Sequence, residues 1–191
     1  GMKDLAIMIV GVGGQGSLLA SKLLGRLFMD AGLDVKVSEV HGMSQRGGSV
    51  VTYVKCGKKV YSPIIEEGQA DIIISFEQLE AARWLPCLKK GGIIIMNTQT
   101  IMPMPVITGR AAYPEDIQEK LKECDIRLFT ADALSLAKQA GSEKATNTVL
   151  LGVAARFSDI PKDKWIEAVK NTVPQKLLSL NLRAFELGYN L

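Results

Sequence analysis

Residues 5–16, LAIMIVGVGGQG, decide the fold class. Leu5–Val10 is an unbroken apolar run of strand length, and the glycine-rich segment Gly11–Gly16 follows it directly. Residues 17–31 then place Leu19, Leu23, Leu27 and Ala31 on one face at i, i+4 spacing, which predicts a helix that Gly32 ends. Strand, glycine turn and helix in that order open a βαβ unit. The alternation continues downstream. Val35–Val40 and Ser49–Cys56 read as strands, and Gly57 with Lys58 reads as a turn into a short hairpin arm at Lys59–Tyr61. Asp71–Ser75 (DIIIS) and Gly92–Met96 (GIIIM) read as buried strands separated by a helix over Glu77–Leu85. Thr98–Tyr113 holds Pro103, Pro105 and Gly109 and reads as irregular chain or an edge strand. Pro114 opens a helix to about Glu123, Ile126–Thr130 is a further strand, and Gly141 stops the helix after it. From Thr146 onward the pattern is helical, over 148–157, 162–171 and 175–188, with Pro161 and Pro174 at the boundaries.

The expected architecture is α/β: a mainly parallel, doubly wound, Rossmann-like sheet with helices on both faces and a helical C-terminal segment. Residues 1–191 read as one domain, with 146–191 as its helical part. A chain of this length can bury roughly 70% of its unfolded surface. No apolar run approaches the roughly 20 residues of a membrane helix, so no membrane is expected. With 23 basic and 20 acidic residues and no basic block, nucleic acid is not an expected partner. Cys56, Cys87 and Cys124 are scattered and form no C-x-x-C pair. That excludes the spacing of a ferredoxin-type cluster or a zinc ribbon, predicts no metal on this chain, and fits a reducing cytoplasm. His41 is the single histidine, so any triad or multi-histidine site would have to be built on it.

In sheets of this kind ligands collect at the carboxyl ends of the strands. The loops Gly11–Gly16, His41–Gly48, Phe76–Glu80 and Asn97–Thr100 would share that edge if their strands run parallel. GVGGQG fits G-x-G-x-x-G through Gly11, Gly13 and Gly16, with Gly14 and Gln15 between. Its glycines allow positive φ and close backbone approach, and Glu39 stands near where an acid would meet a ribose. A bound dinucleotide and a tight strand–helix turn without ligand both fit. A phosphate loop does not, because no G-K-[ST] follows. The second loop joins His41, Gly42, Met43, Ser44, Gln45, Arg46, Gly47 and Gly48. Arg46 can grip a carboxylate or phosphate with two parallel hydrogen bonds, and the plain alternative is a solvated glycine-rich connection. Glu77 and Glu80 read as structural, the first at a helix N-terminus and the second paired with Arg83. Asn97 reads as a turn residue, and Thr146 and Asn147 as helix caps.

Taken in order, GVGGQG, EVHGMSQRGGSVVTYVK, YSPIIEEGQADIIISFEQLEAARWLP, GGIIIMNT and NTVLLG resemble the gamma subunit, or gamma domain, of the 2-oxoacid:ferredoxin oxidoreductases. The resemblance spans residues 5 to about 155, and EVHGMSQRGGSV is most like the small subunit of the family's indolepyruvate branch. It implies a complete enzyme that cleaves a 2-oxoacid, foremost an arylpyruvate, with thiamine diphosphate and Mg. Carbon dioxide is released, electrons pass through iron–sulfur clusters to ferredoxin, and the acyl group ends on coenzyme A. It further implies that thiamine diphosphate and the clusters reside on a large partner subunit, and that this chain is inactive alone. In that setting Ser44, Gln45 and Arg46, presented by Gly42, Gly47 and Gly48, face the partner and the substrate or coenzyme A entrance. Arg46 is the implied anion contact, and no nucleophile is assigned. Ferredoxin is met through the complex, and a homodimer of the isolated chain stays open. Two other readings stand beside this one: an independent NAD(P)-binding dehydrogenase or regulator, and a stand-alone module for a small anion.

Overall fold

A computed structural model describes residues 4–13, 16–41 and 48–191, with His41 by its backbone alone. Among the described residues the strands are β1 (Leu5–Val12), β2 (Asp34–His41), β3 (Ser49–Gly57), β4 (Ala70–Ser75), β5 (Leu88–Asn97) and β6 (Arg127–Ala131). The helices are α1 (Ser17–Asp30), α2 (Gln78–Trp84), α3 (Met104–Ile107), α4 (Ile117–Lys122), α5 (Ala133–Ala140), α6 (Thr146–Arg156), α7 (Lys162–Thr172) and α8 (Leu178–Tyr189). All six strands join one sheet in the order β2-β3-β1-β4-β5-β6. The pairs β1/β4, β4/β5 and β5/β6 are parallel. β3 runs antiparallel to both β1 and β2, so β2 points the same way as β1. The mainly parallel sheet read from the sequence is present, with one strand reversed.

The continuous apolar runs become central strands because both of their faces are covered. Ile7 and Ile9 point to one side and pack with Leu23, Leu24 and Leu27 of α1 and with helices α5 to α8. Met8 and Val10 point to the other side and pack with Ile73, Ile94, Ala81 of α2, and Ile117 and Leu121 of α4. This is the two-residue alternation of a strand, read out as two separate cores. The C-terminal segment is helical, as expected. At Gly152 an added Cβ would run into the Phe185 carbonyl, and at Gly188 into the Val149 carbonyl. Helices α6 and α8 therefore touch backbone to backbone, and the buried Thr148 hydroxyl bonds Asn181 Oδ1 at 2.5 Å beside that contact.

Several boundaries differ from the sequence reading. Lys59–Tyr61 forms no hairpin arm. β3 finds its partner in β2 instead, and the Val60 N–H is taken by the Asp34 carboxylate at 2.8 Å. β5 starts at Leu88, ahead of Gly92, because Leu88 already pairs with Ala70 of β4; the register then shifts before Ile93 meets Ile72, with Gly91 at φ 72 in between. Residues 98–113 are irregular apart from the single turn α3, so the edge-strand alternative falls. The helix expected from Pro114 begins only at Ile117, since Asp116 sits in the left-handed region at φ 60.

Candidate functional site

Five strands end on one edge of the sheet, and the loops that follow them meet there. α1 leaves β1 toward one face and α2 leaves β4 toward the other, so a crevice opens between the two exits, where such sheets bind ligands. A cleft of about 390 Å³ occupies it, lined by Gly16, Phe76, Gln99, Ile101, Leu134 and Thr146 among others.

The glycine segment divides into three parts. Gly11 and Val12 belong to β1, paired with Val50 and Ser49. The Gly13 N–H donates to the Gly48 carbonyl at 3.1 Å, which fastens the start of the first loop to the end of the second. Gly14 and Gln15 lie outside the described residues. Gly16 sits at φ 87 before α1, where a Cβ would stand 3.0 Å from Asn147 Nδ2. Glycine is required there twice over, by conformation and by space. The Asn147 amide donates to the Gly16 carbonyl at 3.2 Å, and its oxygen accepts the Thr148 N–H at 2.8 Å. The capping reading needs correction: Ala145 holds the cap position, and Thr146 donates to the Glu143 carbonyl at 2.7 Å. Asn147 satisfies a first-turn donor from inside the helix and spends its amide on the glycine loop.

Of the second loop, Gly42, Met43, Ser44, Gln45, Arg46 and Gly47 lie outside the described residues. The loop's two ends are described. His41 closes β2 opposite Val50 of β3, and Ser49 opens β3. The Ser49 hydroxyl donates to Glu80 Oε2 at 2.6 Å, and the Trp84 indole N–H donates to the same oxygen at 3.2 Å. Arg83 Nε meets Glu80 Oε1 at 3.2 Å, the i, i+3 pair expected from the sequence. Glu80 thus ties the second loop's exit to α2.

Glu77 is 1% exposed and caps α2, accepting the Glu80 N–H at 3.0 Å through Oε1. Its Oε2 accepts the Ile101 N–H at 3.1 Å and the Tyr113 hydroxyl at 2.5 Å. Tyr113 in turn accepts the Leu79 N–H at 3.1 Å. Burial, and then the hydrogen bond to Glu77, push the Tyr113 phenol well above its ordinary range. The Gln78 N–H donates to the Gln99 carbonyl at 3.2 Å, and the Gln78 side chain donates to Thr98 at 2.5 Å. The first amides of α2 are therefore satisfied by protein groups. Both glutamates are engaged as anchors, and neither is arranged as an acid–base pair. Asn97, fully buried, donates to the Phe76 carbonyl at 3.2 Å and accepts the Ala133 N–H at 3.1 Å. It holds the ends of β4 and β5 and the start of α5 together; the turn role expected of it is corrected, since Asn97 is the last residue of β5, paired with Ala131.

Two further sequence readings meet the geometry here. Glu39 lies on β2, which reversed β3 separates from β1. Two strand spacings put it about 10 Å sideways from the glycine loop. In the dinucleotide fold the acidic strand adjoins that loop, so the ribose role assigned to Glu39 does not fit. Among the described residues no group of three or more His, Cys, Asp or Glu could hold a metal ion. Sequence reasoning missed Tyr113 and the fastening of residues 98–101. Tyr113 lies 36 residues from Glu77, and no local pattern links the two.

The model of the family described as pyruvate ferredoxin/flavodoxin oxidoreductase matches residues 6–191. The chain is 45% identical to indolepyruvate oxidoreductase subunit IorB of Thermococcus kodakarensis, over 98% of this chain and 95% of that protein. Two solved structures share the fold. The keto/oxoacid ferredoxin oxidoreductase gamma subunit of Geobacter sulfurreducens has a TM-score of 0.73 at 22% identity, covering 97% of this chain and 96% of that one. A chain of the 2-oxoglutarate:ferredoxin oxidoreductase from Magnetococcus marinus, solved with 2-oxoglutarate, coenzyme A and succinyl-CoA, has a TM-score of 0.76 at 20% identity. This fold covers 100% of the present chain and only 31% of that longer one.

Proposed function

The chain belongs to the pyruvate ferredoxin/flavodoxin oxidoreductase family, and on that footing we propose that it is the small subunit of an indolepyruvate-type 2-oxoacid:ferredoxin oxidoreductase. The observation that carries the reading is the end-to-end match to a subunit of that name, 45% identical over 98% of this chain. The reaction converts a 2-oxoacid, coenzyme A and oxidised ferredoxin into acyl-CoA, carbon dioxide and reduced ferredoxin. Thiamine diphosphate with Mg, and the iron–sulfur clusters, belong to a large partner subunit. A cluster takes four cysteine ligands as a rule, and this chain has three cysteines, on β3, before β5 and after α4.

The contribution of this subunit is a wall whose supports are held in place by the folded sheet. The ends of the segments 41–48 and 13–16 leave from one edge, and Glu80, Asn97 and Asn147 hold those ends by hydrogen bonds. Ser44, Gln45 and Arg46 line the entrance shared with the partner, and Arg46 binds an anionic oxygen pair, the carboxylate of the oxoacid or a phosphate of coenzyme A. Among the described residues no helix is long and apolar enough to cross a membrane. We place the enzyme in the cytoplasm.

Anaerobic co-purification with the large subunit, followed by an assay of 2-oxoacid-dependent ferredoxin reduction, tests the reading. Both chains should be needed, and full activity from the large subunit alone would overturn it. Arg46→Ala should assemble normally and raise the KM for oxoacid or coenzyme A; unchanged kinetics would remove Arg46 from the entrance.

A further inference from the structure

We propose that the strap between β5 and α4, residues 98–113, is the surface on which the cofactor-bearing partner subunit docks; the inference rests on the subunit reading above. Four features of the strap point the same way. It borders the crevice, since Gln99 and Ile101 line the cleft. None of its residues is buried. Arg110 is its one charged side chain, in a protein whose residues are 23% charged. And it presents Met102, Met104 and Ile107 at 44%, 56% and 65% exposure within six residues. A solvated connection has no reason to be nearly uncharged. The centre of a protein interface does: charge is depleted there and methionine enriched, because a thioether chain adapts to the facing surface.

The strap is also set in shape before any partner arrives. Thr98, Gln99, Ile101 and Tyr113 are all hydrogen-bonded to residues 77–79 at the start of α2. Pro103 and Pro105 stiffen the exposed part. A surface held this way loses little entropy on binding. Among the described residues, the exposed apolar side chains Leu18, Met29 and Val37 are interleaved with Lys22 and Arg26 and do not line the cleft.

The occupant is the large subunit rather than a second copy of this chain. In the longer relative the fold accounts for 31% of the polypeptide, so the rest of that enzyme is tethered beside it. The relative IorB, matched over 95% of its own length, is named as a subunit, so its neighbour is a separate chain held without a covalent link. A twofold contact through the strap would set two crevice edges face to face and close both to substrate.

The test uses the full chain and the purified large subunit under anaerobic conditions. The double variant Met104→Glu/Ile107→Glu should bind the large subunit at least tenfold more weakly than wild type while unfolding at the same temperature. Met29→Glu, remote from the strap, should bind like wild type. Hydrogen exchange should show the amides of 102–110 becoming protected when the partner is added. Undiminished binding by the strap variant, with no protection, would overturn the proposal and leave the subunit reading standing. A dimer of the isolated chain that the strap variant abolishes, with partner binding intact, would overturn it in favour of self-association. Failure of the wild-type chain to bind the large subunit would overturn both readings together.

Discussion

Replacing Glu77 by Gln changes one atom and keeps the side chain's shape, yet the site should register it strongly. The carboxylate accepts three hydrogen bonds while 1% exposed: from the Glu80 N–H, the Ile101 N–H and the Tyr113 hydroxyl. A glutamine amide offers one acceptor and one NH₂. If the NH₂ replaces Oε2 it faces the Ile101 N–H, and if it replaces Oε1 it faces the Glu80 N–H. Tyr113 can rotate its hydroxyl to accept instead of donate, but a backbone amide cannot turn. One buried N–H therefore loses its acceptor in either orientation. That costs about 2 kcal/mol, the scale of a hydrogen bond to a charged group or of an unsatisfied buried donor. For a protein of this size such a loss lowers the unfolding temperature by about 4–8 °C. Thermal unfolding followed by circular dichroism measures the total, and amide exchange at Ile101 and Glu80 assigns it. A cycle with Tyr113→Phe should return a coupling above about 0.5 kcal/mol, since the two groups share one contact. If Glu77→Gln shifts stability by less than about 0.5 kcal/mol and Ile101 exchanges as in wild type, the fastening described for residues 98–113 is wrong.

Three further outcomes follow from the same contacts. Asn147→Ala removes both the donor to Gly16 and the acceptor of the Thr148 N–H, and should destabilise by about 1–3 kcal/mol, with faster exchange at Thr148. Gly188→Ala pushes a methyl group into the Val149 carbonyl, where backbone has to yield, and should cost about 3 kcal/mol or more by urea titration. Burial pushes the Cys56 thiol from an ordinary 9.0 up to about 11, so the folded chain keeps a proton that the unfolded chain releases. That contribution is intact below pH 9 and is lost as the pH climbs toward about 11, so denaturation midpoints in this window should fall more steeply for wild type than for Cys56→Val.

The sequence carried the sheet in its apolar runs. DIIIS and GIIIM could not be surface strands, and the glycine segment marked the first turn. The four polar loops were expected on one edge for the simple reason that parallel strands end together, and those described do so. Strand direction was not legible for β3. Its side chains alternate as they would in either orientation, and only pairing with β1 and β2 decides. That reversal is what moved Glu39 away from the glycine loop and weakened the dinucleotide reading. The supports of the site were read by type and missed by partner. Glu80 was matched to Arg83, one turn away, and its bond to Trp84 four residues on is just as local, whereas its bond to Ser49, 31 residues back, depends on the folded sheet. Asn147 was read as a cap because its neighbours in sequence allowed it, while its second bond reaches across 131 residues to Gly16. Such contacts leave no periodic trace.

The backbone-to-backbone contact of α6 and α8 also sets a timetable for the nascent chain. Thr148 and Asn181 are 33 residues apart, so ribosomal synthesis at about 5–20 residues per second leaves α6 without its mate for roughly 2–7 seconds. During that interval the groove at Gly152 and the Thr148 hydroxyl are open beside the apolar run Val149–Ala155, long after β1 to β5 have been made. A chaperone that shields α6 until residue 188 is made would therefore raise the folded yield without altering the native state.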